Sequence, residues 1–144
     1  MRCVIDTSVV VKWFVEEGDT AAALALPVHY RLLAPELLIP EFANVLATKQ
    51  RLGDLDEERV RICALALSQS AIDFRLMTPL MPHALRLAAE LHHPAYDCFY
   101  LALAMIEGCP LVTADRRFIR AVEQCGSQAL QSVLLPLAKA LPAP

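Results

Sequence analysis

Short apolar runs that alternate with helical segments are the feature that most constrains how this chain folds. Residues 3–5 (Cys-Val-Ile) and 111–113 (Leu-Val-Thr) do not alternate between polar and apolar side chains. Runs of this kind are typical of strands buried on both faces, as in parallel sheets covered by helices. The order of strands and helices therefore predicts an α/β fold: a single-domain α/β/α sandwich with a central, mostly parallel sheet.

The remaining elements follow from periodicity and from capping residues. Ser8 is predicted to cap a helix that continues through Phe14. Additional strands are predicted at 31–34, 72–76 and 130–135. Additional helices are predicted at 21–26, 41–52, from 57 onward, and at 82–91, 98–107 and 116–124. Residues 1–136 would form the domain and residues 137–144 a loosely held C-terminal tail.

The composition of the 144 residues narrows the class of protein. Apolar residues make up 56% of the chain, which excludes a mainly disordered protein and leads us to expect a partner over some apolar surface. With 13 basic and 16 acidic residues the net charge is −3, which argues against a strongly basic nucleic-acid wrapper. An acidic chain can still cut nucleic acid when metal ions reverse the charge of its site.

The cysteines and the absence of long apolar segments predict the cellular compartment of the protein. The five cysteines are odd in number and form no C-x-x-C pair, which indicates free thiols in a reducing cytosol and makes zinc unlikely. No stretch is long and apolar enough to cross a membrane, and residues 1–6 do not resemble a signal peptide. We therefore expect a cytoplasmic protein without a membrane partner.

Four acidic residues stand where a parallel sheet would bring them together. Asp6 and Asp115 each follow a buried strand, Asp97 opens a buried helix, and Glu41 lies in the first turn of another helix. Ligands of such sheets bind beyond the carboxyl ends of the strands. Each acid alone is better explained as a helix cap or a first-turn residue. Together, in apolar surroundings, they would repel one another, and a Mg²⁺ or Mn²⁺ ion would remove that repulsion.

Three polar side chains would support these acids. Ser8 follows Asp6 by two residues and Thr113 precedes Asp115 by two, so either hydroxyl could orient a carboxylate or a water at the metal, or simply form a cap or turn. Asn44 lies one turn from Glu41 on the same helix face. It would either hydrogen-bond a neighbouring carboxylate or face solvent.

Four motifs, in order along the chain, resemble those of PIN-domain proteins of the VapC toxin type. They are residues 1–17 (with Val-Ile-Asp-Thr-Ser and Lys-Trp-Phe), 40–46 (with Pro-Glu and Asn-Val-Leu), 96–104 (Tyr-Asp-Cys-Phe-Tyr-Leu-Ala-Leu-Ala) and 113–118 (Thr-Ala-Asp-Arg-Arg-Phe). The resemblance covers nearly the whole chain. Cys98 stands where a small residue such as Ala is more usual, and the segment after residue 126 matches less clearly.

The resemblance implies an endoribonuclease that depends on Mg²⁺ or Mn²⁺ and cuts single-stranded or looped RNA. The family's four catalytic acids correspond here to Asp6, Glu41, Asp97 and Asp115. We expect Asp6, Asp97 and Asp115 to hold the metal. The resemblance also implies a homodimer, held inactive by a small antitoxin protein whose C-terminal segment covers the acidic groove.

Contacts to RNA phosphates would come from a few cations. Lys12, Arg116 and Arg117 are the candidates, and the alternative is a solvated helix face. Trp13 lies in an apolar stretch and is better explained by packing than by stacking on a base. The pair at residues 92–93, His-His, has no zinc-motif spacing.

Other function classes lack their required residues. A phosphatase of the haloacid-dehalogenase type needs a second Asp at the position of Ser8, and a dinucleotide-binding domain needs a glycine-rich turn, whereas the four glycines are scattered. The alternative that stays open is a catalytically silent PIN-like domain that binds RNA or a protein and cuts nothing.

Overall fold

The computed structural model describes residues 1–16 and 18–141 of the chain. The strands in this part are β1 (Arg2–Ile5), β2 (Arg31–Pro35), β3 (Asp73–Arg75), β4 (Leu111–Thr113) and β5 (Leu134–Pro136). The α-helices are α1 (Thr7–Val10), α2 (Thr20–His29), α3 (Leu38–Leu52), α4 (Glu57–Ser68), α5 (Met81–Leu91), α6 (Ala95–Glu107), α7 (Arg116–Cys125) and α8 (Gln128–Val133). Short 3-10 helices occupy Val11–Trp13, Thr78–Leu80 and Leu137–Lys139.

The strands form a single parallel sheet in the order β3-β2-β1-β4-β5. Val4 of the central strand pairs with Leu33 of β2 on one side and with Leu111 of β4 on the other. Cys3, Val4 and Ile5 are all fully buried. Because successive strand residues point to opposite faces, helices must cover both faces of the sheet, and the predicted α/β/α fold is confirmed.

The strand order reverses beside β1, and this reversal positions the site. From β1 the chain builds outward through β2 to β3, and it then places β4 and β5 on the other side of β1. In sheets of this kind a crevice opens at the carboxyl ends of the two strands between which the order reverses. Asp6 follows β1 and Asp115 follows β4 within two residues, so both acids lie at this crevice.

Helix α6 brings a third acid to the same edge. The helix packs against β1 and β2, and it buries six of its side chains: Cys98, Tyr100, Leu101, Ala102, Leu103 and Ala104. An apolar sequence around most of a helix predicts this degree of burial. Asp97 lies in the first turn of α6, so the packing of the helix on the sheet fixes the position of its carboxylate.

The cap of the first helix differs from the prediction. Asp6, not Ser8, is the N-cap of α1, and its carboxylate accepts a hydrogen bond from the backbone N–H of Val9. The α-helix ends at Val10, and Val11–Trp13 continues as a 3-10 helix. A run of β-branched residues lowers helix stability, which accounts for the short α-helical stretch.

The strand predicted at 130–135 is wrong for most of its length. Ser127 caps α8, its hydroxyl accepting from the N–H of Leu130, and β5 is confined to Leu134–Pro136. A short apolar run fits either a strand or a buried helix, so its pattern could not separate the two.

Several element boundaries also differ from the prediction, among them those of α3 and β3. Helix α3 begins at Leu38 rather than at residue 41, with Pro40 inside its first turn. Proline is tolerated there because the first N–H groups of a helix have no partner within the helix. Strand β3 covers only Asp73–Arg75 of the predicted 72–76.

The segment predicted to be a loosely held tail starts with ordered contacts. Leu137 and Ala140 are buried, and the hydroxyl of Tyr30 donates to the carbonyl oxygen of Ala140 at 2.8 Å. This part of the segment therefore packs on the domain. Residues 142–144 lie outside the described residues, and the boundary at residue 136 stays a prediction.

All five cysteines are free thiols, and Cys3, Cys63 and Cys98 are buried. Among the helices described above, none has both the length and the hydropathy required to span a membrane.

Candidate active site

The four predicted acids line one cleft at the carboxyl edge of the sheet. Asp6, Glu41, Asp97 and Asp115 border a cavity of about 270 Å³. The other residues that line it are Thr7, Ser8, Asn44, Val45 and Tyr100. The acids are far apart in sequence, so it is the strand order and the packing of α3 and α6 that bring them together.

Each carboxylate belongs to the N-terminal end of a different helix. Asp6 caps α1 and Asp115 caps α7, while Glu41 and Asp97 lie in the first turns of α3 and α6. Helix N-termini carry partial positive charge and unpaired N–H groups, which stabilise nearby anions. The capping roles that the sequence suggested for Asp6 and Asp115 are therefore compatible with a shared site.

Asp6 is held by two hydroxyl groups that the end of β4 keeps in place. The Ser8 hydroxyl donates to Oδ1 of Asp6 at 2.5 Å, and the Thr113 hydroxyl donates to Oδ2. The N–H of Ala114 donates to the Ser8 hydroxyl at 2.9 Å, and the N–H of Asp115 donates to the Thr113 hydroxyl at 3.0 Å. The orientation of the carboxylate that follows β1 thus depends on the neighbouring strand.

The buried position of Asp6 makes its negative charge unfavourable. The residue is only 6% exposed. The pKa of the carboxyl group is raised from 3.8 to about 7, chiefly by burial. The hydrogen bonds from Ser8 and Thr113 oppose this rise, and the charge of Asp97 adds to it. A cation in the cleft would favour the ionised form of this carboxyl group.

Glu41 is fixed by hydroxyl groups from two other helices. Thr7 in α1 donates to Oε2 of Glu41 at 2.7 Å, and Tyr100 in α6 donates to the same oxygen at 2.5 Å. Tyr100 is almost fully buried, and burial together with the charge of Glu41 raises the pKa of its hydroxyl group. Tyr100 therefore stays protonated and serves as a donor.

Asp97 pairs with a histidine from the turn that precedes its helix. Nε2 of His93 lies 2.6 Å from Oδ2 of Asp97, and the His93 ring packs against Phe118 with 5.0 Å between centroids. Burial raises the pKa of the Asp97 carboxyl group, and the charge of Asp115 adds to this effect. The hydrogen bond and charge of His93 act in the opposite direction, as does the charge of Arg117.

Asp115 and the predicted RNA-binding arginines lie at the start of α7. Oδ1 of Asp115 accepts hydrogen bonds from the N–H groups of Arg117 at 2.8 Å and Phe118 at 3.1 Å. Arg116 and Arg117 are exposed, and neither lines the cleft. Arg117 is close enough to Asp97 for its charge to lower the pKa of that carboxyl group.

The remaining predicted residues lie in or beside the cleft. Asn44 lines it and is exposed, and its side chain makes no hydrogen bond to another residue of the described chain. Lys12 lies outside it, in an adjoining cavity of about 320 Å³. Trp13 packs against the core and donates from Nε1 to the carbonyl oxygen of Ala23 at 2.9 Å, which agrees with the packing role expected for it.

The donor set suits a hard cation, although the carboxylates are not arranged as a finished metal site. Within residues 1–16 and 18–141, no three His, Cys, Asp or Glu side chains form a group that could hold a metal ion. The carboxylates are instead hydrogen-bonded to hydroxyl, imidazole and N–H groups. Mg²⁺ commonly takes only one or two carboxylates together with waters and substrate phosphates. The chemistry of Asp6, Asp97 and Asp115 therefore fits this ion.

Sequence reasoning missed three residues that hold the acids. Thr7 adjoins Asp6 in the first motif, and Tyr100 lies one helical turn after Asp97, a spacing that places the two on the same helix face. His93 precedes Asp97 by four residues, but it stands before Pro94 and outside α6. Its contact depends on the geometry of the turn, which the sequence pattern does not give.

Most of this chain is similar to a known protein family and to known proteins. The family model described as PIN domain matches residues 3–124. Ribonuclease VapC1 of Mycobacterium tuberculosis, from strains CDC 1551 and H37Rv, is 31% identical over 123 residues, which cover 83% of this chain and 90% of the relative. The crystal structure of PAE2754 from Pyrobaculum aerophilum is similar in fold, with a TM-score of 0.67 and 20% identity over 96% of this chain and 90% of that one.

Proposed function

This chain belongs to the PIN domain family, and we propose that it is an endoribonuclease that hydrolyses RNA phosphodiester bonds with the aid of a divalent cation. The observation that carries the proposal is the meeting of Asp6, Glu41, Asp97 and Asp115 in one cleft. The identity of 31% to Ribonuclease VapC1 supports RNA as the substrate. By the same likeness, we propose that the chain is the toxin of a toxin–antitoxin pair.

Asp6, Asp97 and Asp115 would hold Mg²⁺ or Mn²⁺, the ions that prefer carboxylate and water oxygens. When bound, such an ion lowers the pKa of water and neutralises charge on the phosphate oxygens. The chain's own contribution is to orient the carboxylates. Ser8 and Thr113 hold Asp6, and His93 holds Asp97, and partners of this kind strengthen metal sites by fixing the ligands.

Glu41 is the acid that we leave outside the cation site. Thr7 and Tyr100 both donate to its Oε2, so two helices fix the position of this carboxyl group in the cleft. We assign to Glu41 the orientation of the water that attacks phosphorus, by accepting a hydrogen bond from that water. Asn44, one turn further along α3 in the same cleft, would donate to the phosphate from its amide.

The cysteines do not suit a covalent mechanism. Cys98 adjoins Asp97, but burial raises the pKa of its thiol to about 12. Burial likewise raises the pKa of the Cys3 thiol to about 12. Because the thiolate is the nucleophilic form, neither residue is activated, and direct attack by water fits the site better.

RNA, a small antitoxin and a second copy of the chain are the partners that we propose. Lys12, Arg116 and Arg117 would contact RNA phosphates, and the antitoxin would cover the acidic cleft. Val28 and Leu76 are among the large apolar side chains that are more than half exposed, as expected of surface that an interface buries. We place the protein in the cytoplasm, where its free thiols stay reduced.

The test is cleavage of single-stranded RNA by the purified protein. We expect cleavage with Mg²⁺ or Mn²⁺, none after addition of EDTA, and none with Asp6→Asn or Asp97→Asn, although both variants should stay folded. Asp54→Asn, at an exposed position outside the cleft, is the matched control and should cleave like the wild type. Equal cleavage by all four proteins would point to a contaminating nuclease and refute the site. Binding of RNA by a wild type that never cleaves it would favour the silent binding module instead.

A further inference from the structure

A second cavity continues the acidic cleft along helix α3. Its volume is about 320 Å³, and it shares Thr7, Ser8 and Val45 with the acidic cleft. The residues that belong to this second cavity alone are Val11, Lys12, Lys49 and Ala114. We call these four residues the lysine groove.

Helix α3 links the two cavities through one of its faces. Glu41, Val45 and Lys49 follow one another at intervals of four residues, which places them in a row on the helix surface. Eight residues of α-helix span about 12 Å. The row therefore leads from Glu41 in the cleft to Lys49, a distance that a few nucleotides of an extended nucleic-acid strand would cover.

Lys49 is a cation without a counterion in the described part of the chain. Lys49 is half-buried, and its side chain forms no hydrogen bond or ion pair with another described residue. An ammonium group without a counterion attracts an anion such as a phosphate. Lys12 adds a second positive charge to the same groove.

The acidic cleft by itself repels the phosphates of a nucleic-acid strand. Four carboxylates surround the proposed reacting phosphodiester, so most of the attraction for the rest of the strand has to come from cations beside them. The lysine groove opens directly from the cleft and supplies such charge. Its other residues, Val11 and Ala114, are apolar and leave room for the sugar-phosphate backbone of a strand.

We infer that the lysine groove binds the phosphate backbone of the RNA next to the bond that is cleaved, with Lys49 as a phosphate contact. This inference rests on the proposed function and adds to it the path of the substrate strand. Contacts of this kind position a strand without reading its sequence.

Binding to an unstructured RNA of about ten nucleotides, measured in EDTA at several salt concentrations, tests the inference. Lys49→Gln should weaken binding alike for different sequences, and should reduce the slope of log K against log salt by about 0.7. Lys139→Gln is the matched control, because Lys139 is an exposed lysine of the C-terminal 3-10 helix and lines neither cavity. It should leave the slope unchanged.

Cleavage kinetics with Mg²⁺ separate the groove from the reaction itself. For the wild type, longer RNA should have a lower KM than a dinucleotide, and Lys49→Gln should remove most of this advantage. If Lys49→Gln matches the wild type in both the salt slope and the length dependence, the groove is refuted while the nuclease proposal stands. If binding depends on Lys49 but no RNA is cleaved, the nuclease proposal fails and the groove stands as an RNA-binding surface.

Discussion

The hydroxyl group of Thr113, at the end of β4, donates a hydrogen bond to the carboxylate of Asp6, which follows the neighbouring strand β1. Thr113 is completely buried, and its oxygen also accepts from the N–H of Asp115. One hydroxyl group therefore joins two of the acids that line the cleft. The parallel pairing of β1 with β4 is what places it between them.

Replacing Thr113 by Val should damage both the fold and the site. The change keeps the shape but leaves a carboxylate oxygen and a backbone N–H without their partner, which costs about 1–3 kcal/mol of unfolding free energy. Loss of the donor also raises the pKa of Asp6 further, so the apparent affinity for Mg²⁺ should fall about tenfold. Urea unfolding and the Mg²⁺ dependence of cleavage measure the two effects. Thr113→Ser keeps the hydroxyl group and should lose much less of either.

The stability of the metal-free protein should fall as the pH rises from about 4 to about 7. In this range the folded protein keeps the proton on Asp6, whose pKa is raised to about 7 by burial, whereas the unfolded chain has already released it near 3.8. The stabilisation that comes from the protonated Asp6 is therefore lost by about pH 7, and a further rise in pH should cause no additional loss from this group. Urea unfolding in EDTA between pH 4 and pH 8 measures this trend.

The Asp6→Asn variant provides the control for that pH dependence. Asn does not titrate, so the decline in stability between pH 4 and pH 7 should become clearly shallower. A wild type whose stability stays level over this range, or a variant that declines as steeply, would contradict the raised pKa of Asp6.

Asp97→Asn should raise the melting temperature of the protein in EDTA at pH 8. The pKa of Asp97 is raised chiefly by burial, with a contribution from Asp115, so its ionised form is held at a cost that the neutral amide avoids. Added Mg²⁺ should then stabilise the wild type more than the variant. Thermal unfolding with and without Mg²⁺ measures both effects, with Asp54→Asn as the control. A marked drop for Asp97→Asn would mean that the carboxylate is needed by the fold itself.

His93→Phe should weaken the apparent affinity for Mg²⁺ about tenfold while preserving the ring contact with Phe118. The substitution removes the nitrogen that lies 2.6 Å from Asp97 but keeps an aromatic ring in a site where the His93 side chain is 7% exposed. Titration of cleavage with Mg²⁺ measures the change. His93→Gln retains a donor and should recover part of the affinity. Equal affinity in all three proteins would limit His93 to a packing role.

Tyr100→Phe should lower the rate of cleavage and cost only a small part of the free energy of unfolding. The substitution removes one of the two donors to Oε2 of Glu41, while Thr7 continues to satisfy that oxygen. We expect a stability loss of about 1 kcal/mol, and a lower kcat because Glu41 is less firmly placed. Urea unfolding and kcat at saturating Mg²⁺ separate the two effects. An unchanged kcat would argue that the position of Glu41 does not depend on Tyr100.

Local sequence patterns predicted the buried strands, most helices and the positions of the four acids at the ends of these elements, because each of these is marked by residues close to it in the chain. Buried strands such as residues 3–5 are apolar throughout, and the capping residues Asp56 and Asp115 stand directly before the helices that they cap. The pattern failed at residues 130–135, where a short apolar segment satisfies a helix as well as a strand.

Only the tertiary structure decided how the acids are held. Thr113 reaches Asp6 because β4 pairs with β1, and Tyr100 reaches Glu41 because α6 and α3 both border the cleft. Likewise, Lys49 belongs to a cavity that forms only when helix α3 comes together with α1 and the 3-10 helix that follows it. A sequence specifies which side chains can carry charge or donate hydrogen bonds, but contacts between distant segments arise from strand order and helix packing, and these set the distances on which the chemistry depends.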